Sequence, residues 1–298
     1  MKYLFILNPI SGAKNRVEDI IDFIAAEMAP SGHQYDFACT THAGEARALS
    51  ENAVQEGYDI IVAAGGDGTI NEVASSLVGC QQACLGIIPL GSGNGIARSL
   101  GVPLNLRKAI QQLLQPGHLL IDIGKVNDRF FVGICGMGFD ANIGKKFQDF
   151  GIRGPLPYFF IGFKEFLLYR AQEFNLHLDD QQLQIKPLLV AIANTPQYGN
   201  GAVIAPGADP SDGILDICIL PEVNLLKAAA LTRRLFCGTI HIATGYRHYR
   251  GKEFRITCGS GQCIIHTDGE PHIMPAELHI KIIEKALKVC TGKAVNPN

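Results

Sequence analysis

Three glycine-containing segments, each placed directly after a short apolar run, constrain this chain more than any other feature of its sequence. They are NPISG at 8–12, GGDGT at 65–69 and GSGNG at 91–95. The runs before them have the length of strands, and apolar residues at helical spacing follow each segment. A strand that turns through glycine into a helix is the repeating unit of a parallel α/β sheet. The sequence therefore predicts such a sheet in the first part of the chain.

The apolar pattern changes once along the chain and predicts two domains. Residues 1–122 alternate strand and helix, which indicates a parallel-sheet α/β domain. Residues 123–284 contain short apolar runs between turn residues, which indicates an antiparallel β-rich domain. Two helical segments interrupt these runs, at 158–171 and 225–236. The tail, 285–298, is predicted to rejoin the first domain.

Composition and charge exclude several classes of protein. Of the 298 residues, 47% are apolar and 18% are charged, which is typical of a globular chain. The net charge of -2 argues against a general nucleic-acid binder, because such proteins carry a basic excess. The apolar stretch 3–7 is too short for a signal peptide, and no run reaches the roughly 18 apolar residues of a spanning helix. We therefore expect a cytoplasmic protein without a transmembrane segment.

The cysteines do not predict a metal site. Nine are scattered along the chain without the CxxC pairs that structural zinc favours. Cys258 and Cys263, for example, are separated by four residues. Free, mostly buried thiols in a reducing compartment are the expectation.

The glycine segments also indicate a ligand. Where a glycine loop joins a strand end to a helix start, backbone N–H groups and the positive end of the helix dipole point to one place, which suits phosphate. Such loops lie at the carboxyl ends of parallel strands, where open α/β sheets bind ligands. The carboxylate of Asp67 is favourable beside phosphate only with magnesium or a proton transfer. One glycine turn alone would more often be structural, but three together favour a phosphate site.

Five motifs, in order, resemble the diacylglycerol kinase catalytic-domain family, which includes sphingosine kinases, ceramide kinases and soluble bacterial lipid kinases. They are NPISG at 8–12, GGDGTINEV at 65–73, PLGSGN at 89–94, GMGFDA at 136–141 and DGE at 268–270. The GGDGT motif alone is shared with NAD kinases and 6-phosphofructokinases, whereas the five together span nearly the whole chain. The resemblance implies a nucleotide-binding α/β domain and a C-terminal antiparallel β-sandwich domain. It also implies phosphorylation of a lipid hydroxyl in the cleft between them, with ATP and Mg²⁺.

The resemblance assigns roles to individual residues. Asp67 would lie beside the phosphates and magnesium, Asp268 would accept the proton of the lipid hydroxyl, and Glu270 lies close to Asp268. Asp140 would hydrogen-bond a lipid head group. Ordinary turn aspartates are the structural alternative for Asp140 and Asp268. The positions that match the family's nucleotide contacts are Asn8, Ser11, Gly12, Thr40, Gly66, Asp67, Gly68, Thr69, Ile70, Asn71, Glu72 and Ser92.

A second metal site is also implied by the resemblance. Some bacterial members hold a structural magnesium ion with two aspartates and a backbone carbonyl in a D-x-x-D-G-x stretch. Asp209, Asp212 and the carbonyl of Ile214 fit that spacing. Hard oxygen ligands suit magnesium. Without the resemblance, an ordinary turn rich in proline, aspartate and glycine would be the better interpretation.

The acceptor is left open. Many diacylglycerol kinases have GTxND where this chain has GSGNG, a form more like sphingosine and ceramide kinases. The predicted function is an ATP-dependent lipid kinase acting on a diacylglycerol, sphingoid or related lipid. The alternatives are a kinase for a soluble acceptor such as NAD, or a non-catalytic lipid-binding protein.

A lipid acceptor implies peripheral contact with a membrane, at its inner face. The aromatic stretch 155–170 can line an acyl-chain site or touch a bilayer, with a core helix as the alternative. The basic residues within 247–252 can meet anionic lipid or form a solvated face. The oligomeric state is not fixed, and a homodimer is one option.

Overall fold

The structure, a computed structural model, places most of the chain. The residues that it describes are 1–11, 16–115, 117–142, 169–178 and 181–291. The chain divides into two compact units, one formed by Met1–Ile123 with Glu284–Asn298 and the other by Gly124–Ile283. Each unit has a hydrophobic core of its own. The predicted fold class, a parallel α/β region followed by an antiparallel β-rich region, is confirmed.

The first unit alternates strands and helices. In chain order they are β1 (Lys2–Leu7), α1 (Val17–Met28), β2 (Gln34–Cys39), α2 (Glu45–Gln55), β3 (Ile60–Gly65), α3 (Asp67–Leu77), β4 (Cys84–Pro89), α4 (Gly95–Ser99) and α5 (Leu106–Leu113). The strands are parallel in the order β4-β3-β1-β2. Strand β3 is buried along its whole length, as expected for the middle of a parallel sheet with helices on its faces.

One helix of the first unit begins earlier than predicted. The sequence predicted a loop over 65–69 and a helix from Ile70, but α3 begins at Asp67. An aspartate in the first turn is favourable because its charge complements the positive end of the helix dipole. The last part of GGDGT is therefore helical, with Gly66 as the residue before the helix.

The second unit is mostly antiparallel strands. After β5 (His118–Val126), which begins in the first unit, these elements are β6 (Arg129–Phe131), β7 (Ile134–Gly138), β8 (Phe174–Leu178), β9 (Gln181–Ile185), β10 (Pro187–Ala193), β11 (Leu215–Pro221), α6 (Leu225–Phe236), β12 (Arg247–Gly251), β13 (Glu253–Thr267) and β14 (Glu270–Cys290). The strand order is β12-β11-β10-β7-β13, and β8 and β14 also pair with β13. The predicted helix over 225–236 is confirmed, whereas that over 158–171 lies largely outside the described residues.

Two tight turns organise the hairpins of this unit. Asn127, between β5 and β6, has a φ of 51°. Asp268 and Gly269, between β13 and β14, have φ values of 51° and 88°. Two successive residues with positive φ form the type of turn that matches the twist of the strands, and aspartate followed by glycine is a preferred sequence for it.

The last strand ends in the first unit. Val289 of β14 pairs in parallel with Leu85 of β4. The backbone N–H of Lys285 donates to Asp122 Oδ1 at 2.7 Å, and that of Gly79 donates to the carbonyl of Ala286 at 2.7 Å. Residues from the end of the chain thus complete the sheet that residues from its start begin.

The expectation of free thiols is wrong for one pair. Cys258 and Cys263 form a disulfide, with 5.7 Å between their Cα atoms. Both lie on β13, whose register shifts between Thr257 and Gln262. This irregularity brings two cysteines of one strand within the distance that a disulfide requires.

Candidate active site

The loops after β1, β3 and β4 meet at the carboxyl edge of the parallel sheet. The backbone N–H of Asn8 donates to the carbonyl of Ala64 at 3.1 Å, and that of Leu90 donates to the carbonyl of Gly65 at 2.8 Å. The side chain of Asn8 also donates from Nδ2 to Thr69 Oγ1 at 3.2 Å. Each loop is therefore bonded to its neighbour at the edge where open α/β sheets bind ligands.

Two glycines allow the second and third loops to touch. A Cβ atom on Gly91 would lie 2.6 Å from the Cα of Gly66 and 2.9 Å from Asn94 Oδ1. Asn94 is buried, has a φ of 50°, and donates from Nδ2 to the carbonyl of Gly91 at 2.8 Å. Ser92, a predicted nucleotide contact, is exposed between them. The GSGN sequence therefore fixes the shape of this loop and leaves its serine accessible.

Asp67 fastens the third loop to the second. Its Oδ2 accepts the N–H of Gly95 at 3.0 Å, and its Oδ1 accepts the N–H of Ile96 at 3.0 Å. These N–H groups belong to the first turn of α4, so Asp67 caps a helix that its own loop does not contain. The metal role of Asp67 stays a prediction, and the capping role is a new finding.

Helix α3 begins with an open end. Its N-cap residue is Gly66, which has no side chain and therefore provides no side-chain cap. The N–H groups of that turn and the positive end of the helix dipole therefore face outwards. A Cβ atom on Gly68 would meet no heavy atom within 4 Å. The start of α3 thus combines outward donors with open space, which is the arrangement that binds phosphate.

Three further predicted nucleotide contacts belong to the strand ends. Thr40 is buried, and its N–H donates to the carbonyl of Leu7 at 2.9 Å, which places it beside Asn8. The N–H of Ser11 donates to the carbonyl of Asn8 at 2.9 Å. Gly12 lies outside the described residues. Thr40 and Ser11 therefore lie at the same edge as the glycine loops.

The remaining predicted contacts on α3 have structural partners. Glu72 accepts the N–H of Gly44 at 2.9 Å and that of Ala46 at 3.0 Å, so it holds the start of α2. Ile70 and Asn71 are buried. A contact of these three side chains with a nucleotide stays a prediction, and the structure gives Glu72 a different task.

In the second unit, the carboxylate of Asp268 anchors the DGE turn. Its Oδ2 accepts the N–H of Val132 at 2.8 Å, and its Oδ1 accepts those of Gly133 at 2.8 Å and Ile134 at 2.9 Å. Three of about four acceptor positions are thus used by backbone donors. Glu270 follows as the first residue of β14. The role of Asp268 as proton acceptor stays a prediction, beside a structural role that the motif did not reveal.

Asp140 lies in a cluster of side chains that the sequence did not predict. The hydroxyl of Tyr198 donates to Asp140 Oδ2 at 2.9 Å, and His266 Nε2 lies 3.2 Å from the same oxygen. The N–H of Ala141 donates to Oδ1 at 2.8 Å. The side chain of Asp140 is 17% exposed and that of His266 is 6% exposed. A ligand would therefore reach the carboxylate rather than the imidazole.

His266 joins Asp140 to the DGE turn. The N–H of Gly269 donates to His266 Nδ1 at 3.3 Å, so Nδ1 acts as an acceptor. The proton of the neutral ring then lies on Nε2, where it is donated to Asp140. Gly136 provides the space, because a Cβ atom there would collide with both His266 Nε2 and Asp140 Oδ2. The first glycine of GMGFDA is therefore required by this pair.

Burial, together with the charges of this region, keeps two neighbouring groups protonated. Burial, followed by the negative charges of Asp140 and Asp268, raises the pKa of the Cys135 thiol. Burial, followed by the charges of Asp140 and Glu222, raises the pKa of Tyr169. Both groups stay neutral at physiological pH and cannot serve as bases there.

The predicted magnesium ligands lie on a surface turn of the second unit. Asp209 Oδ1 accepts the N–H of Ser211 at 2.9 Å, and Asp212 Oδ1 accepts the N–H of Ile214 at 3.0 Å. Arg250 forms an ion pair with Asp212. No group of three histidine, cysteine, aspartate or glutamate side chains in the described ranges is placed to hold a metal ion. The magnesium site stays a prediction, and a metal ion there would share Asp212 with a guanidinium.

Comparison with known proteins decides the family. A model described as "Diacylglycerol kinase catalytic domain" matches residues 2–126, and one described as "YegS C-terminal NAD kinase beta sandwich-like domain" matches residues 133–291. The chain belongs to the diacylglycerol kinase family. The resemblance inferred from the five motifs is thereby confirmed.

Relatives within the diacylglycerol kinase family are named as lipid kinases. One from Pseudomonas savastanoi pv. phaseolicola, named "Probable lipid kinase YegS-like", is 33% identical over 257 residues, which are 85% of this chain and 83% of the relative. The diacylglycerol kinase of Bacillus subtilis is 31% identical over 228 residues, 74% of either chain. The crystal structure of a diacylglycerol kinase from Bacillus anthracis shares the fold, with a TM-score of 0.74 and 20% identity over 99% of this chain and 97% of that one. These relatives place the chain among lipid kinases.

Proposed function

We propose that this protein transfers the terminal phosphoryl group of ATP to a hydroxyl of a lipid. The observation that carries the proposal is the set of three bonded glycine loops beside the open start of α3, in a chain of the diacylglycerol kinase family. Loops that only reverse the chain do not need to be bonded to one another. A phosphate site does, because its N–H groups must converge on one ligand.

On the nucleotide side, the backbone at the start of α3 would bind phosphate. Gly68 leaves the space that a phosphate group needs, and Asn8, Thr40 and Ser92 lie around the same edge. A magnesium ion bound with ATP would neutralise the charge of the phosphates. The carboxylate of Asp67 would lie beside such an ion, while its two bonds to backbone N–H groups keep the loops in register.

On the acceptor side, Asp140 would bind the lipid head group. Its carboxylate is partly exposed and held in place by Tyr198 and His266, so it can accept a hydrogen bond from a lipid hydroxyl. Asp268 would take the proton of the attacking hydroxyl, a contribution of about 10²–10⁴ in rate for a general base. Glu270, at the start of the next strand, would help to orient that hydroxyl.

Cellular placement belongs to the same proposal. No helix within the described ranges is both long and apolar enough to cross a bilayer. A cytoplasmic protein with peripheral contact at the inner face of the membrane would meet ATP and its lipid together. A homodimer stays an option.

The test is an acceptor screen with labelled ATP and magnesium. Diacylglycerol, ceramide and sphingoid bases in mixed micelles are assayed beside NAD, and the products are identified by mass. We expect one lipid class to be phosphorylated, and Asp140→Asn to lower that rate by about tenfold while ATP binding is unchanged. A product from NAD alone would establish the soluble-acceptor alternative. Turnover of no acceptor would favour a lipid-binding protein without catalysis.

A further inference from the structure

The outer side of α6 exposes large apolar side chains. None of its twelve residues is buried. Leu226 is 84% exposed, Phe236 56% and Leu225 42%, and Ile242 shortly after the helix is 61% exposed. Four of the nine large apolar residues that are exposed in the described part of the chain therefore lie within 225–242. Three of the four belong to one twelve-residue helix, so exposed apolar surface is concentrated there.

The same side of the helix is basic. Lys227, Arg233 and Arg234 lie on α6, which contains no acidic residue, although the whole chain has a net charge of -2. Because a helix has 3.6 residues per turn, Arg233 lies on the same side as Leu226, seven residues earlier. Lys227 and Arg234 lie about a quarter turn to one side of Leu226, and Leu225 and Phe236 lie about a quarter turn to its other side. Positive charge and exposed apolar surface thus meet at Leu226 and Arg233, with a basic flank on one side of them and an apolar flank on the other.

The inner side of α6 is fixed to the second unit. Leu231 and Leu235 pack against the hydrophobic cluster that also carries Tyr198. The carbonyl of Leu235 accepts the N–H of Val203 at 2.9 Å. Tyr198 is the residue that holds Asp140. The helix therefore packs on the same hydrophobic cluster as Tyr198, the partner of Asp140. Its inner side is anchored while its outer side is exposed.

We propose that this α6 face, formed by Leu225, Leu226, Lys227, Arg233, Phe236 and Ile242, docks the protein on the surface of an anionic bilayer. The apolar side chains would enter the head-group region, and the basic ones would meet lipid phosphates. A symmetric dimer through this face would place the same basic residues against each other, so the charge favours a bilayer over a second copy of the chain. The proposal rests on the proposed function, because a lipid acceptor is presented by a bilayer.

Vesicle co-sedimentation of the full chain, without ATP, tests the docking by itself. Vesicles of phosphatidylcholine are compared with vesicles that also contain phosphatidylglycerol. We expect binding to the anionic vesicles only, and about a tenfold loss in a Lys227→Glu, Arg233→Glu double variant. Leu226→Ser with Phe236→Ser should lose binding at unchanged charge. The matched controls, Lys186→Glu and Leu104→Ser, alter exposed residues elsewhere and should bind as the wild type does.

The outcomes separate docking from catalysis. Thermal melting first establishes that each variant is folded. Loss of vesicle binding in both α6 variants supports the docking, even where no lipid is phosphorylated, in which case the proposed kinase function alone fails. Variants that bind vesicles as well as the wild type overturn the docking. The docking is also overturned if the wild-type protein is a dimer and either α6 variant is a monomer, because the face would then join two copies of the chain. An active kinase should show the defect on vesicles and not in detergent micelles.

Discussion

The polar sites of the two units consist of different chemical groups. In the first unit the candidate site is mostly backbone, shaped by Gly66, Gly68 and Gly91. In the second it consists of side chains, and Asp140 is held by residues from two distant segments. A backbone site requires glycine at fixed points of one loop, so it leaves a local trace in the sequence. A side-chain site assembled by strand pairing leaves none, and only the structure reveals it.

The Asp-Gly pairs of the two units can be compared in the same way. Asp67 and Asp268 both use the carboxylate to fix backbone N–H groups of another segment, two groups in the first case and three in the second. Asp67 begins a helix, whereas Asp268 has a φ of 51° in a hairpin turn. In both units the acidic residue of the motif is also a structural residue. A loss of activity in either variant therefore needs a stability measurement beside it.

The largest effect is expected where the backbone of the first unit is most crowded. Gly91→Ala would place a Cβ atom 2.6 Å from the Cα of Gly66, so the loops must separate. We expect a lower melting temperature and about a hundredfold loss of phosphoryl transfer, since small displacements of a site have effects of this size. Gly68→Ala is the matched change, because nothing lies within 4 Å of it. It should melt normally and bind ATP more weakly in a titration. Normal ATP binding by Gly68→Ala would show that the start of α3 does not bind phosphate.

Asp268→Asn tests the second unit in the same way. An amide would turn an NH₂ group towards a backbone N–H that the carboxylate now accepts, so we expect stability in urea to fall by about 1–3 kcal/mol together with turnover. Asp128→Asn, at an exposed position on another turn, is the control. A variant with wild-type stability and no turnover would favour the proton-acceptor role alone. A stable and active variant would dismiss both roles.

His266 allows the two ends of the side-chain cluster to be separated. His266→Asn keeps an acceptor near Gly269 and loses the donor to Asp140, so we expect the KM for lipid to rise about tenfold with little change in kcat. The longer side chain of His266→Gln can still donate to Asp140 but no longer accepts the N–H of Gly269 in the DGE turn, so kcat should fall instead. Ring nitrogen shifts in the wild type should report a proton on Nε2. Identical effects of the two variants would show that His266 only fills space.

A smaller effect is expected from magnesium at the surface turn. We expect magnesium to raise the melting temperature of the wild type and not that of Asp212→Asn. Asp19→Asn, at an exposed position of the first unit, should respond as the wild type does. If magnesium changes the melting temperature of none of the three proteins, the turn is held by the ion pair between Arg250 and Asp212 instead. The loss of that pair would then lower stability by no more than about 1 kcal/mol.

A further effect appears only in acid, and it again concerns a side chain of the second unit. Burial, then the charges of Arg129 and His266, lower the pKa of His272 from its ordinary 6.5 to about 4. Between these pH values the unfolded chain binds a proton that the folded chain does not, so this stability is present above about pH 6.5 and is lost as the pH falls to 4. His272→Gln should flatten that part of the profile in urea unfolding. Parallel profiles would assign the acid sensitivity to other groups.

The sequence predicted the first unit well because its signals are local. Each strand, glycine loop and helix there follows its neighbour along the chain, so spacing and composition are sufficient. The start of α3 was misplaced by three residues because a glycine loop and a glycine-containing first turn have the same composition. The strands of the second unit were recognised for the same local reason.

The side-chain cluster and the disulfide could not be predicted in this way. Tyr198 is 58 positions from Asp140 and His266 is 126 positions from it, and no pattern connects them before the strands pair. The one local signal was a histidine directly after the apolar run CII, two residues before the DGE turn. The bridge between Cys258 and Cys263 depends on an irregularity of β13, which is a property of its pairing with β14.

The return of β14 to the first unit has a consequence for synthesis. β4 has β3 on one side and the end of β14 on the other, where Val289 meets Leu85. A ribosome releases Leu85 long before it adds Val289, so the nascent chain carries a parallel sheet with an uncovered edge while the whole second unit is being translated. Uncovered edges recruit other strands, so this incomplete sheet is exposed to aggregation until the end of the chain pairs with it. The first unit is thus the first to be made and the last to be finished.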